Sequence, residues 1–170
     1  EGAQVSYLLP LPFFSQVELG YWTPAAHAEE SGSESHGVEY ENRIMNARSW
    51  NSFSISKNQE LELGLNYLQG NPSADSDDDK QTITGLDVTY SHLFGNNELK
   101  LQAETFQAEY GEDGEAAEKQ TGSYVSASYD LSKQYQVGLR YDQLGKHGDE
   151  GKDINQMAYM LTRQLTETSK

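Results

Sequence analysis

The sequence predicts an all-β chain, an antiparallel up-and-down meander that is part of a transmembrane β-barrel. Three observations lead there. Apolar and polar residues alternate with period two through most of the chain, the connections alternate between short and long, and the acidity gathers in the long connections. A strand sorts alternate side chains onto opposite faces, whereas a helix of the same sequence would smear its apolar residues around the whole circumference.

Taken in order, the alternation predicts nine strands, near residues 2–9, 13–22, 43–55, 60–69, 82–94, 98–110, 121–131, 134–144 and 154–165. The clearest are Glu60 to Tyr67, with Leu61, Leu63, Leu65 and Tyr67 on one face, and Tyr135 to Asp142, with Tyr135, Val137, Leu139 and Tyr141 on one face. The third is the weakest: Arg43 to Asn51 alternates poorly, and Ser49 to Ile55 is its better half. Ala116 to Lys119 has helical propensity but is too short to stand alone.

Pro10–Pro12, Ser56–Gln59, Gly95–Asn97 and Ser132–Lys133 form the short connections. The long ones are Thr23–Asn42, Gly70–Gln81, Gly111–Gln120 and Gly145–Asp153. They carry -12 of the formal net charge of -15. Acidity therefore belongs to one rim, and short turns at one end with long loops at the other is the habit of outer-membrane barrels. Tyr21, Trp22, Tyr67, Tyr90, Tyr110, Tyr124, Tyr135 and Tyr141 lie near strand ends, where aromatic girdles are expected.

Composition narrows the function. A length of 170 residues suits one domain, here 1–170, and 35% hydrophobic residues look sparse for a buried core. Eleven tyrosines, five phenylalanines and two tryptophans nevertheless argue against general disorder. No run of about 20 apolar residues offers a membrane-spanning helix. No signal peptide opens the chain, which reads as cytosolic or as a processed or excised piece. The absence of cysteine excludes disulfides, thiol catalysis and cysteine-ligated metals. The net negative charge argues against nucleic acid as a partner.

The segment from Gly2 to Phe14, followed by Val17-Glu18-Leu19-Gly20, resembles a hairpin of porin-like outer-membrane proteins of Gram-negative bacteria. Relatives in that group carry the labels phosphate-selective porin and zinc-regulated TonB-dependent outer-membrane receptor. Leu63 to Gly70 and Val137 to Leu144 are similar to later strands of the same proteins. The resemblance implies a bacterial outer-membrane location and passage of small solutes or ions, with outer-membrane lipid as the surrounding partner. A homo-oligomer stays open. Such barrels are longer and even-stranded, so nine strands read as an internal or partial segment.

The predicted polar face includes Glu62, Lys100, Gln102, Glu104, Arg140 and Asp142, which become the candidate pore lining. Lys100 and Arg140 could form an eyelet or anion path, or could be paired charges that stiffen the wall. A clear excess of lysine and arginine, which phosphate selectivity would want, is missing from this face.

In the first long loop His27, Glu29, Glu30, Glu34 and His36 could give zinc or another divalent cation a mixed nitrogen–oxygen shell. Their spacing matches no defined motif, so a solvated acidic loop explains the same residues. The barrel itself implies no cofactor. Asp75 to Lys80 imitates a calcium loop but has Lys80 and Leu86 where glycine and glutamate belong. Motifs for hydrolases, zinc proteases and phosphate-binding loops are absent, and Ser91 and His92 should point to opposite faces, so no enzyme is expected. Two further readings remain: a surface binding or adhesion module with acidic metal-binding loops, and a soluble β-barrel or sandwich that buries the apolar face.

Overall fold

Residues that alternate in polarity can satisfy their backbone groups only by pairing sideways, and here each strand finds its partner in the next strand of the sequence. The computed structural model describes residues 1–23, 43–71, 80–111, 118–145 and 153–163. They form β1 (Gly2–Leu8), β2 (Phe14–Trp22), β3 (Ile44–Ser56), β4 (Gln59–Gly70), β5 (Lys80–Phe94), β6 (Asn97–Gly111), β7 (Glu118–Asp130), β8 (Tyr135–Leu144) and β9 (Ile154–Arg163). The nine lie in one sheet in sequence order, every pair antiparallel. The described residues contain no helix. The sheet is not closed: β1 and β9 are its two edges.

The all-β meander expected from the sequence is therefore present, with most strand bounds within two residues of the predicted ones. β7 departs most, starting three residues early at Glu118. β3, the weakest in the sequence, is a strand over its whole predicted length, 13 residues. Its residues mix polarity on both faces, with Ile44, Asn46, Arg48 and Trp50 on one and Met45, Ala47, Ser49 and Asn51 on the other. Pairing on both sides by β2 and β4 holds it extended where its own pattern does not. β7 begins at Glu118, so Glu118 and Lys119, whose segment is too short to stand alone as a helix, belong to a strand.

Short connections join β1 to β2, β3 to β4, β5 to β6 and β7 to β8, and antiparallel order puts all four at one end. The links between β2 and β3, β4 and β5, β6 and β7, and β8 and β9 leave from the other end; residues 24–42, 72–79, 112–117 and 146–152 within them lie outside the described residues. At the turn end, Leu9 N donates to Ser15 O at 2.8 Å, closing the connection that carries Pro10 and Pro12. The β5–β6 turn has two residues, Gly95 and Asn96, between the paired Phe94 and Asn97. Gly95 has φ 66°, the conformation a side chain opposes at the first position of such a turn. A Cβ there would touch nothing within 4 Å, so any penalty for alanine is a backbone one. Gly95→Ala should destabilise the protein by about 1–2 kcal/mol, read as a shift of the denaturant-unfolding midpoint, and Gly95→Asn should cost less.

Candidate functional site

The register divides the sheet into two chemically distinct faces. One carries Val17, Leu19, Leu61, Leu63, Leu65, Val88, Leu101, Val125, Leu139 and Met157 through cross-strand pairs such as Leu63↔Val88, Val88↔Ala103, Ala103↔Val125, Val125↔Tyr141 and Tyr141↔Met157. The residues between them face the opposite way. All six candidate pore-lining residues are there, in three neighbouring rows: Glu62, Gln102 and Arg140 in one, Glu104 and Asp142 in the next, and Lys100 on the other side.

Both faces of the sheet are open, and the apolar one is not shielded: Leu65 is 57% exposed and Leu161 72%, beside 48% for the side chain of Arg140 on the polar face. Among the described residues Ala108 is the one buried hydrophobic side chain. No second layer lies over the leucines in the described residues, because all nine strands belong to one sheet. Apolar surface left open on this scale marks a face that meets something apolar.

The apolar face ends sharply toward the long-link end. Its last apolar residue and the next polar one are Tyr21 and Thr23 in the β2 direction, and Met45 and Arg43 on the β3 side. Moving along the sheet, the pairs become Tyr67 and Gln69, Leu86 and Thr84, Ala103 and Thr105, Val125 and Ser123, Tyr141 and Gln143, then Met157 and Asn155. Met45 pairs with Gln69, Tyr67 with Thr84 and Leu86 with Thr105, so the boundary drops one row at each of these steps and then holds level. The whole shift, about six residues or roughly 20 Å, falls between β3 and β6, and the boundary is level from β2 to β3 and from β6 to β9. On β5 the band runs from Leu86 to Phe94, close to the roughly 9–11 residues a tilted strand uses to cross hydrocarbon.

Charge on this face is confined to the strand ends. Lys80, Glu109 and Lys119 stand beyond the boundary, and Arg163 is at the turn end. Lys119 Nζ lies 2.8 Å from Glu109 Oε1, and that contact holds the Glu109 carboxyl below its ordinary value. Aromatic rings gather at the turn end: Phe13 packs on Phe53 at 4.6 Å between centroids, and His92 stacks on Phe94 at 3.9 Å. Besides His92 on β5, a polar cluster interrupts the band. Ser15, 1% exposed, donates to Asn51 Oδ1 at 2.6 Å, and Asn51 Nδ2 donates to Ser49 Oγ at 3.1 Å, so the trio satisfies itself.

The girdle expectation needs correction at three positions. Trp22, Tyr110 and Tyr124 fall on the polar face, paired with Gly2, Gln81 and Glu104 respectively; Tyr21, Tyr67, Tyr90, Tyr135 and Tyr141 are on the apolar one. Tyr124 shares the parity of Ser126 and Ser128, the signal that places it. Its ring supports a cation instead of a membrane interface.

The polar face is a wall of interlocked side chains. Arg140 Nη2 lies 2.6 Å from Asp142 Oδ1, Nε donates to the same oxygen at 2.8 Å, and the guanidinium carbon stands 3.8 Å above the Tyr124 ring. Arg48 Nη2 reaches Asp87 Oδ1 at 3.8 Å, and Asn66 Nδ2 donates to Asp87 Oδ2 at 2.8 Å. Arg48 and Asp87 belong to β3 and β5, so their contact passes over β4. Gly64 makes that crossing feasible: a Cβ there would collide with the Asp87 carboxylate. Phe106 likewise covers Gly122. Eight carboxylates with described side chains share the face, those of Glu18, Glu60, Glu62, Asp87, Glu98, Glu104, Asp130 and Asp142, against three basic groups, those of Arg48, Lys100 and Arg140. Glu18 accepts from Gln16 Nε2 at 2.8 Å, Glu60 accepts from Ser52 Oγ, and Asp130 accepts from Gln136 Nε2 at 3.0 Å. Arg48, Asp87 and Tyr124 thus join the wall around the expected six residues.

His27, Glu29, Glu30, Glu34 and His36 lie outside the described residues, as do Asp75 to Asp79. Among the described residues no group of three or more metal-ligating side chains comes together. Ser91 and His92 point to opposite faces, paired with Lys100 and Leu99. No protein-family model, curated protein or solved structure matches this chain.

Replacing Tyr124 with leucine should remove the ring beneath Arg140 and cost about 0.5–1 kcal/mol. A double-mutant cycle with Arg140→Gln checks it: the Tyr124→Leu loss should shrink when the guanidinium is already gone.

Proposed function

We propose that the chain forms part of the wall of a porin-like outer-membrane β-barrel, with its apolar face against lipid and its polar face along a hydrated lumen through which small solutes or ions pass. The uncovered apolar face carries this reading: leucines, valines and tyrosines stand open on one face with no second layer over them, while ion pairs form on the other. In lipid every backbone polar group must find a partner within the protein, and a sheet closed by further pairing at β1 and β9 provides that. Exposed apolar side chains that would each contribute about 1.5–3 kcal/mol on burial in a dry core gain the same transfer from lipid.

Neighbouring residues on opposite faces offer a direct test, because the natural chain has no cysteine. In lipid vesicles Glu62→Cys should react with a water-soluble maleimide, and Leu63→Cys should be shielded from it while a lipid-soluble quencher reaches a label placed there. A chain that stays soluble without detergent, with Leu63→Cys shielded from the maleimide and out of reach of the lipid-soluble quencher, would favour a soluble barrel. Leu139→Lys should cost about 2–4 kcal/mol of stability in a bilayer, measured by denaturant titration in vesicles. Polarised infrared spectra of oriented membranes should give a strand tilt of about 30–45°.

A further inference from the structure

We infer that the lumen wall passes cations in preference to anions, a refinement that rests on the pore reading above. The inference comes from how the basic groups are used. Both guanidiniums on the polar face are engaged by carboxylates of the same face, Arg140 by Asp142 at 2.6 Å and Arg48 by Asp87 at 3.8 Å. Arg140 is further held against the Tyr124 ring. A guanidinium bound in this way is a poor landing point for an anion, which would have to displace a carboxylate already in place.

Lys100 is the remaining basic group of the wall. Among the described residues it pairs with no carboxylate, and its cross-strand neighbours are Ser91 and Ser128. Against this one ammonium stand the wall carboxylates without a cationic partner. Those with assigned donors receive them from neutral groups: glutamines for Glu18 and Asp130, a serine for Glu60. Neutral donors orient a carboxylate without cancelling its charge. Glu60 and Glu62 follow one another on β4, and Glu104 faces Asp87 across the β5–β6 pair, so the uncancelled charge is spread over several strands instead of gathering at one point.

A wall of this kind sets a negative potential along its length, and rings of acidic side chains select for cations. A potential of only one kT favours a monovalent cation over a monovalent anion by e squared, about sevenfold. The two pairs also explain why arginines on this face do not reverse the sign. The chemical class that fits is a small hydrated cation, and an anionic solute such as phosphate is disfavoured.

The test is the reversal potential, under a potassium chloride gradient, of single channels formed in planar bilayers by the closed barrel that contains this chain. A potential of cationic sign, with a permeability ratio of potassium to chloride near sevenfold, is the expected result. The Glu60→Gln/Glu62→Gln/Glu104→Gln variant should lower that ratio at least about twofold, and Lys100→Gln should raise it. Arg140→Gln, which frees Asp142, should raise it as well. A zero or anionic reversal potential in the natural protein overturns the inference while leaving the pore reading intact. A ratio unchanged in both the triple variant and Lys100→Gln overturns it too. Absence of channels, together with the labelling pattern of a soluble barrel, overturns the pore reading and this inference together.

Discussion

Register is the constraint on which the rest of this molecule depends. Each side chain's face is fixed by its pairing, so a slip of one residue between β4 and β5 would set Leu63 beside Asp87 and put charge into the apolar band. The ladders carry the whole burden of holding the sheet, because no second layer presses on either face in the described residues. Turn geometry then pins the ladders. The two-residue β5–β6 turn, with its positive-φ glycine, fixes the register of the longest pair, 15 residues on each side.

The same constraint explains how much was legible in the sequence. Where one face is wholly apolar, as in Leu61 to Tyr67, alternation alone locates the strand and assigns its faces, and all six predicted lining residues fall together for that reason. β3 was harder because Trp50 and Ile44 interrupt its polar side and Ser49 and Asn51 its apolar side. Tyr124 was misplaced by proximity to a strand end, although its parity with Ser126 and Ser128 was available. The contacts Arg48–Asp87 and Arg140–Tyr124 were not legible at all. They join different strands, so they depend on register and, for the first, on an empty position at Gly64.

Packing on the polar side is made over glycines, by the Asp87 carboxylate across Gly64 and the Phe106 ring across Gly122. Small residues in the middle of the wall let long neighbours lie flat. The ion pairs there serve placement more than stability, since partly exposed pairs contribute about 0–1 kcal/mol each.

The open edges have a consequence of parity. In this meander β1 and β9 run in the same direction, because an even number of reversals separates them. Joined directly to one another, they would form a parallel seam in a sheet that is otherwise antiparallel. A ring that is antiparallel all the way round needs an odd number of strands between them. Arithmetic alone thus limits how such a sheet could close: any strands added between the two edges would have to be odd in number.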